Sequence, residues 1–162
     1  MLTRLSQRGF TLVELVVTLV IIGALAAASA PLFFSAQDFQ KSGFHDEVLA
    51  TVRYAQKLAV GTNCGVQVTV AANTVSLTTA AGAGTCFSGP FIQAVFDPSN
   101  PGVAFARPAP QGITISSAAV LFCPLGDTSS SGTCAGNYPH ADVVVTVSGQ
   151  TISIIGATGH VR

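Results

Sequence analysis

The sequence predicts an α+β fold in which a long N-terminal helix, half transmembrane and half amphipathic, packs on an antiparallel β-sheet. Three observations predict it. Residues 10–30 form an apolar run with a single charge, residues 32–60 carry apolar side chains at helical spacing, and the chain beyond residue 61 alternates in short β-prone runs separated by turn residues. The expected organisation is a short basic flank over 1–9, a membrane helix over 10–30, its amphipathic continuation over 31–61 and a β-rich domain over 62–162.

Composition narrows the function classes. The 162 residues are 49% hydrophobic and only 9% charged, against a usual charged share of about 25%. Such a chain is not intrinsically disordered. Seven basic residues balance seven acidic ones, so the protein is not built to coat nucleic acid by bulk charge. Three His, four Cys and no Trp leave few groups for catalysis.

Residues 10–30 read FTLVELVVTLVIIGALAAASA. As a helix they span about 31 Å, close to the hydrocarbon thickness of a bilayer. In lipid the backbone satisfies its own hydrogen bonds only as a helix. Pro31, which lacks an N–H, is expected to end or kink it. The preceding flank holds Arg4 and Arg8 and no acid, so this end stays cytoplasmic and the rest lies across the membrane. Ala28-Ser29-Ala30 offers an A-x-A signal-cleavage pattern. Against it stand the length of the apolar run and a carboxylate near its cytoplasmic end.

That carboxylate is Glu14. A charge at the bilayer centre costs about 2.5–3.5 kcal/mol on insertion scales and normally has a partner. No Lys, Arg or His occurs between Phe10 and Ala30. Either Glu14 snorkels to the interface, or its partner comes from outside the segment.

Arg8-Gly9-Phe10-Thr11-Leu12-Val13-Glu14-Leu15, followed by the apolar run and Pro31, resembles the class III signal of type IV prepilins and type II secretion pseudopilins. The resemblance covers about a fifth of the chain. It implies a pilin-like fold, a leader peptide over 1–9, cleavage by prepilin peptidase between Gly9 and Phe10, and N-methylation of Phe10. Glu14 becomes the fifth mature residue, whose carboxylate pairs with the N-terminal amine of a neighbouring subunit and so serves assembly. Pro31 becomes the twenty-second, a usual place for a helix kink. The implied partners are prepilin peptidase, other pilins or pseudopilins in a filament, inner-membrane lipid, and an inner-membrane assembly platform with a cytoplasmic ATPase. The implied location is the bacterial inner membrane, with a single pass and a periplasmic C-terminal domain.

Beyond the membrane segment, Phe44, Val48, Val52, Ala55 and Ala59 fall three and four apart and form one stripe. Asp46, Glu47, Arg53 and Lys57 take the other faces. Gly61-Thr62-Asn63 is the expected stop. GVQVTV (65–70) and TVSLTT (74–79) alternate around the turn Ala71-Ala72-Asn73, FIQAVF (91–96) and residues 113–123 are further strands, and DVVVTV and TISIIG flank a hairpin turn at Ser148-Gly149-Gln150. Pro98, Pro101, Pro108 and Pro110 mark an irregular surface connection, and Asp127–Gly132 a Ser-rich loop.

A second resemblance lies in this half. Leu121-Phe122-Cys123-Pro124-Leu125-Gly126 is similar to the F-x-P-x-G element of the pseudopilin H/FimT-like subfamily, and Ile152–Arg162 is similar to its closing strand, which ends in T-G-R-x-R. It implies a minor pseudopilin of a type II secretion system or a minor pilin of a type IV pilus. Some FimT-like minor pilins capture DNA through that tail. Here His160 stands at the first arginine position and Arg162 matches the second. Removal of the leader takes Arg4 and Arg8, leaving five basic against seven acidic residues, formally −2, so DNA binding is the minority reading. An ordinary secreted protein with a discarded signal is the other rival.

Four cysteines facing an oxidising compartment read as two disulfides. Of three pairings, Cys64–Cys86 and Cys123–Cys134 are the sequential ones, each bracketing a loop. Zinc is the alternative, but there is no C-x-x-C and no His at ligand spacing, so neither metal nor cofactor is expected. His45 and His140 lack a nucleophile or acid at a defensible spacing. Gly82-Ala83-Gly84 is too short for a phosphate cradle, and Asp97, Asp127 and Asp142 read as isolated turn acids. No catalytic constellation emerges, and the expectation is a non-enzymatic structural subunit.

Overall fold

The computed structural model describes residues 10–33, 36–81 and 86–162. The chain divides into two units, Met1–Ala36 and Gln37–Arg162. The leader with Gly9, and Gly82-Ala83-Gly84, lie outside the described residues.

The first unit is the helix α1 (Leu12–Phe33). Thr11 is its N-cap: the hydroxyl oxygen accepts the Glu14 N–H at 3.3 Å, satisfying one of the donors that a helix start leaves free. Thr11 and Glu14 stand at the spacing of a capping box. All side chains described from Phe10 to Ala27 are exposed, including Leu12 at 79% and Leu25 at 65%. The helix runs two residues beyond Pro31, so the proline does not end it. Among the described residues no helix is long and apolar enough to cross a membrane.

The second unit opens with α2 (Ala36–Thr62). Its predicted stripe faces inward: Phe44, Val48, Val52, Ala55 and Ala59 are all buried. The helix stops one residue past Gly61, and Asn63 takes the left-handed conformation (φ 53°), so asparagine supplies the C-terminal cap.

Beneath the stripe lies a six-stranded antiparallel sheet with the order β3-β2-β1-β7-β8, and β6 also paired to β2. These strands are β1 (Val66–Ala71), β2 (Thr74–Ala80), β3 (Phe91–Ala94), β6 (Ala106–Pro108), β7 (Ala118–Phe122) and β8 (Thr128–Ser129). Strand alternation sends Val66, Val68, Val70, Val75, Leu77, Val120 and Phe122 into the core with the helix stripe. A three-stranded sheet of β9 (Val143–Val147), β10 (Gln150–Ile155) and β11 (His160–Val161) contributes Val145, Val147, Ile152, Ile154 and Val161 to the same core. The pair Ile115–Val147 bridges the two sheets. Both predicted hairpins form on two-residue turns with positive φ, at Ala72-Asn73 (48° and 57°) and Ser148-Gly149 (46° and 91°).

Three expectations are corrected. The run 113–123 is a strand only over Ala118–Phe122, because its first half turns away to the Val147 bridge. The proline-rich connection contains β4 (Phe96–Asp97), β5 (Asn100–Ala104) and β6. Pro101 and Pro108 sit on exposed strands, where a missing N–H costs no ladder bond. The Ser-rich loop begins as the buried strand β8.

Candidate functional site

The N-terminal motif is built on the first turn of α1. Phe10 precedes the helix and is 77% exposed. Glu14 lies in the first turn, where the helix dipole favours a carboxylate, and its side chain is exposed. The ion pairs among the described residues join other groups, so none of those residues neutralises it. An acid stands at the head of an exposed apolar helix that itself carries no basic residue.

The two C-terminal elements meet at one node. Gln56 on α2 donates through Nε2 to the Gly126 carbonyl at 2.7 Å and the Thr158 carbonyl at 3.3 Å. Gly126 (φ +89°) and Gly159 (φ +62°) are left-handed, and a Cβ on Gly159 would run into the Gly126 carbonyl. Gly159 is therefore required by close backbone approach, and Gly126 by its left-handed conformation. The F-x-P-x-G and T-G elements thus form an architectural latch that ties the final strand to α2. Sequence reasoning missed Gln56, which nothing distinguishes from a solvated helix residue.

The tail is held firmly. Arg53 donates to the Val161 carbonyl at 3.1 Å, and Ser153 and Arg162 exchange backbone bonds at 2.7 and 3.0 Å. Val161 is buried while His160 and Arg162 face solvent. Arg53 and Lys57, also exposed, are one helical turn apart on α2.

The remaining candidates are structural. Asp97 is buried and bound by Arg107 Nη1 at 2.6 Å, while Arg107 Nε reaches Glu47 at 3.1 Å. The Arg107 hydrogen bond, with the Ser99 N–H, holds the Asp97 carboxyl below its ordinary range. The Asp97 bond in turn raises Arg107. This clamp fastens the β4–β5 hairpin to α2. Asp127 accepts the Tyr138 hydroxyl at 2.9 Å. Burial first, then this bond, pushes the Tyr138 phenol up to about 12. Asp142 accepts the Gly156 N–H. None of the three acids is isolated, and Asp97 keeps the expected turn role, its Oδ1 accepting the Ser99 N–H at 2.8 Å. His45 lies half-buried on α2, and His140 Nδ1 sits 2.9 Å from the Thr128 carbonyl. Cys64–Cys86 and Cys123–Cys134 are disulfide-bonded, the sequential pairing. The second packs with Leu121, Phe91 and Tyr138 on the outer face of β7.

Comparison with known families agrees with the first of these sites. Residues 4–30 match the family model described as the prokaryotic N-terminal methylation motif, the signature of type IV pilins and pseudopilins. The motif implies processing by prepilin peptidase and assembly with other pilins. No curated protein matches the chain, and no solved structure does.

Proposed function

We propose that the protein is a minor pseudopilin or minor pilin, a non-enzymatic structural subunit of the pseudopilin H/FimT-like kind. It is cleaved between Gly9 and Phe10, N-methylated on Phe10, held in the inner membrane by residues 10–30 and drawn into a filament of a type II secretion system or type IV pilus. One observation carries this reading: Glu14 lies in register with the methylation motif at the head of an apolar helix, and no described residue neutralises it. The freed amine of Phe10 in an adjacent subunit is the cation that the site lacks. Leaving lipid exposes apolar surface worth some tens of kcal/mol gross, so extraction needs an external motor, and lateral packing of the helices replaces the lipid contacts. The two disulfides fit an oxidising periplasm.

Glu14→Leu tests the assignment. The variant is expected to insert and to be processed normally, yet to be absent from sheared filaments or isolated pseudopili. Normal incorporation of Glu14→Leu overturns the pairing.

A further inference from the structure

The larger sheet carries a cavity that neither the N-terminal motif nor the Gln56 latch uses. It measures about 250 Å³ and lies against β1, β7, β8 and the start of β9. Register sets Gln67 of β1 between Thr78 of β2 and Leu121 of β7, and Leu121 beside Ser129 of β8. Residues opposite one another in a ladder share a face. Val66 and Val68, on either side of Gln67, point into the core, so the row of Gln67 points away from it. Two groups in that row are unengaged. Among the described residues nothing hydrogen-bonds the half-buried Gln67 carboxamide, and the Thr78 hydroxyl is buried without a partner. Polar groups in such places are normally satisfied.

The other walls narrow the ligand. Thr128 Oγ1 donates to the Ala141 carbonyl at 3.2 Å and Ser130 Oγ to the Pro139 carbonyl at 3.1 Å, so both oxygens keep lone pairs for an incoming hydroxyl. Gln67 adds both donors and an acceptor. Ala119, Leu121 and Val143 make an apolar side. Among the described residues that line the cavity none is ionisable, so a charged ligand would lose water and gain no counter-charge. A neutral ring with hydroxyls at its edge and C–H groups on its faces meets all of these conditions. We propose that the cavity binds one neutral hexose unit of a carbohydrate, its hydroxyls bonded to the Gln67 carboxamide and the Thr128 and Ser130 oxygens, and a face of its ring on Leu121 and Val143. The volume falls below the ~300–1,000 Å³ of pockets for drug-sized ligands, which limits the ligand to a single ring. The site lies wholly within Gln37–Arg162 and is independent of the filament reading.

Titration of the purified full chain tests the site, in a detergent without a sugar headgroup. The probes are D-glucose, D-galactose and D-mannose, with D-glucuronate and a neutral tripeptide as controls. At least one hexose is expected to shift the NMR signals of the Gln67 side-chain amide and of the Ser129 and Ser130 backbone amides saturably. The Kd should be roughly millimolar, as for a ligand of about a dozen non-hydrogen atoms. Gln67→Leu should weaken binding roughly five- to ten-fold, the share of one or two hydrogen bonds. Ala119→Phe, at an exposed position of the apolar side, should fill the cavity and abolish binding. The unfolding midpoint of each variant shows that it folds, and Gln67→Leu alone decides if Ala119→Phe does not. The proposal is overturned by the absence of a saturable shift with all three hexoses, or by unchanged affinity in Gln67→Leu. Glucuronate or the tripeptide binding as tightly as the best hexose overturns it too.

Discussion

The two units of this chain handle apolar surface in opposite ways. Gln37–Arg162 buries its own: α2 and the two sheets close one core in which Phe122, Ala55, Ala59, Val147 and Ile152 are fully buried. In α1 the apolar side chains from Leu12 to Leu25 stay exposed, with Glu14 among them. An apolar helix exposed on every side is finished only by lipid or by other helices. The folded unit is thus stable on its own contacts, whereas the N-terminal helix acts through contacts with other molecules. Substitutions in the two regions should fail in different assays.

The largest separation is expected from the core. Phe122→Ala should destabilise the purified full chain by about 3–5 kcal/mol, read by denaturant unfolding, while leaving prepilin cleavage in cells detectable. Glu14→Leu should do the reverse, with an unfolding midpoint unchanged and assembly lost. A Glu14 variant that unfolded early would blur the comparison.

Next in size is the Cys123–Cys134 bridge, which closes the loop packed over Leu121. Replacing both cysteines with serine should cost about 2–4 kcal/mol, measured as a shift in the denaturant midpoint. Indifference to that change shows that the outer face of β7 does not need the bridge.

The smallest effect is electrostatic. The Asp97 carboxyl is depressed by Arg107, so its unfolded value, about 3.9, lies above its folded one. Its contribution is present above the unfolded value and fades as pH falls through the folded value. Stability of the native chain should therefore decline below about pH 4 more steeply than that of Asp97→Asn. Equal slopes remove the Asp97–Arg107 clamp from the account.

The same contrast explains what was legible in the sequence. The stripe from Phe44 to Ala59 and the two hairpins follow from periods of 3.6 and 2, so they could be read directly. The N-terminal motif was legible because Gly9, Phe10 and Glu14 lie close together in the chain and need no fold to come together. Strands β5 and β8 escaped notice because β5 carries Pro101 and β8 is only two residues long, too short for any alternation to show. The Asp97–Arg107–Glu47 clamp and the Gln56 latch were invisible: each joins residues brought together only by tertiary packing. Gln56 and Gly126 are 70 residues apart.

The N-terminus of the mature chain tests the central claim most directly. Intact-mass and fragment-ion measurement of protein extracted from membranes should find a chain that begins at N-methylated Phe10, with residues 1–9 gone. A chain that still begins at Met1, or one that begins at Pro31 or later, contradicts the account.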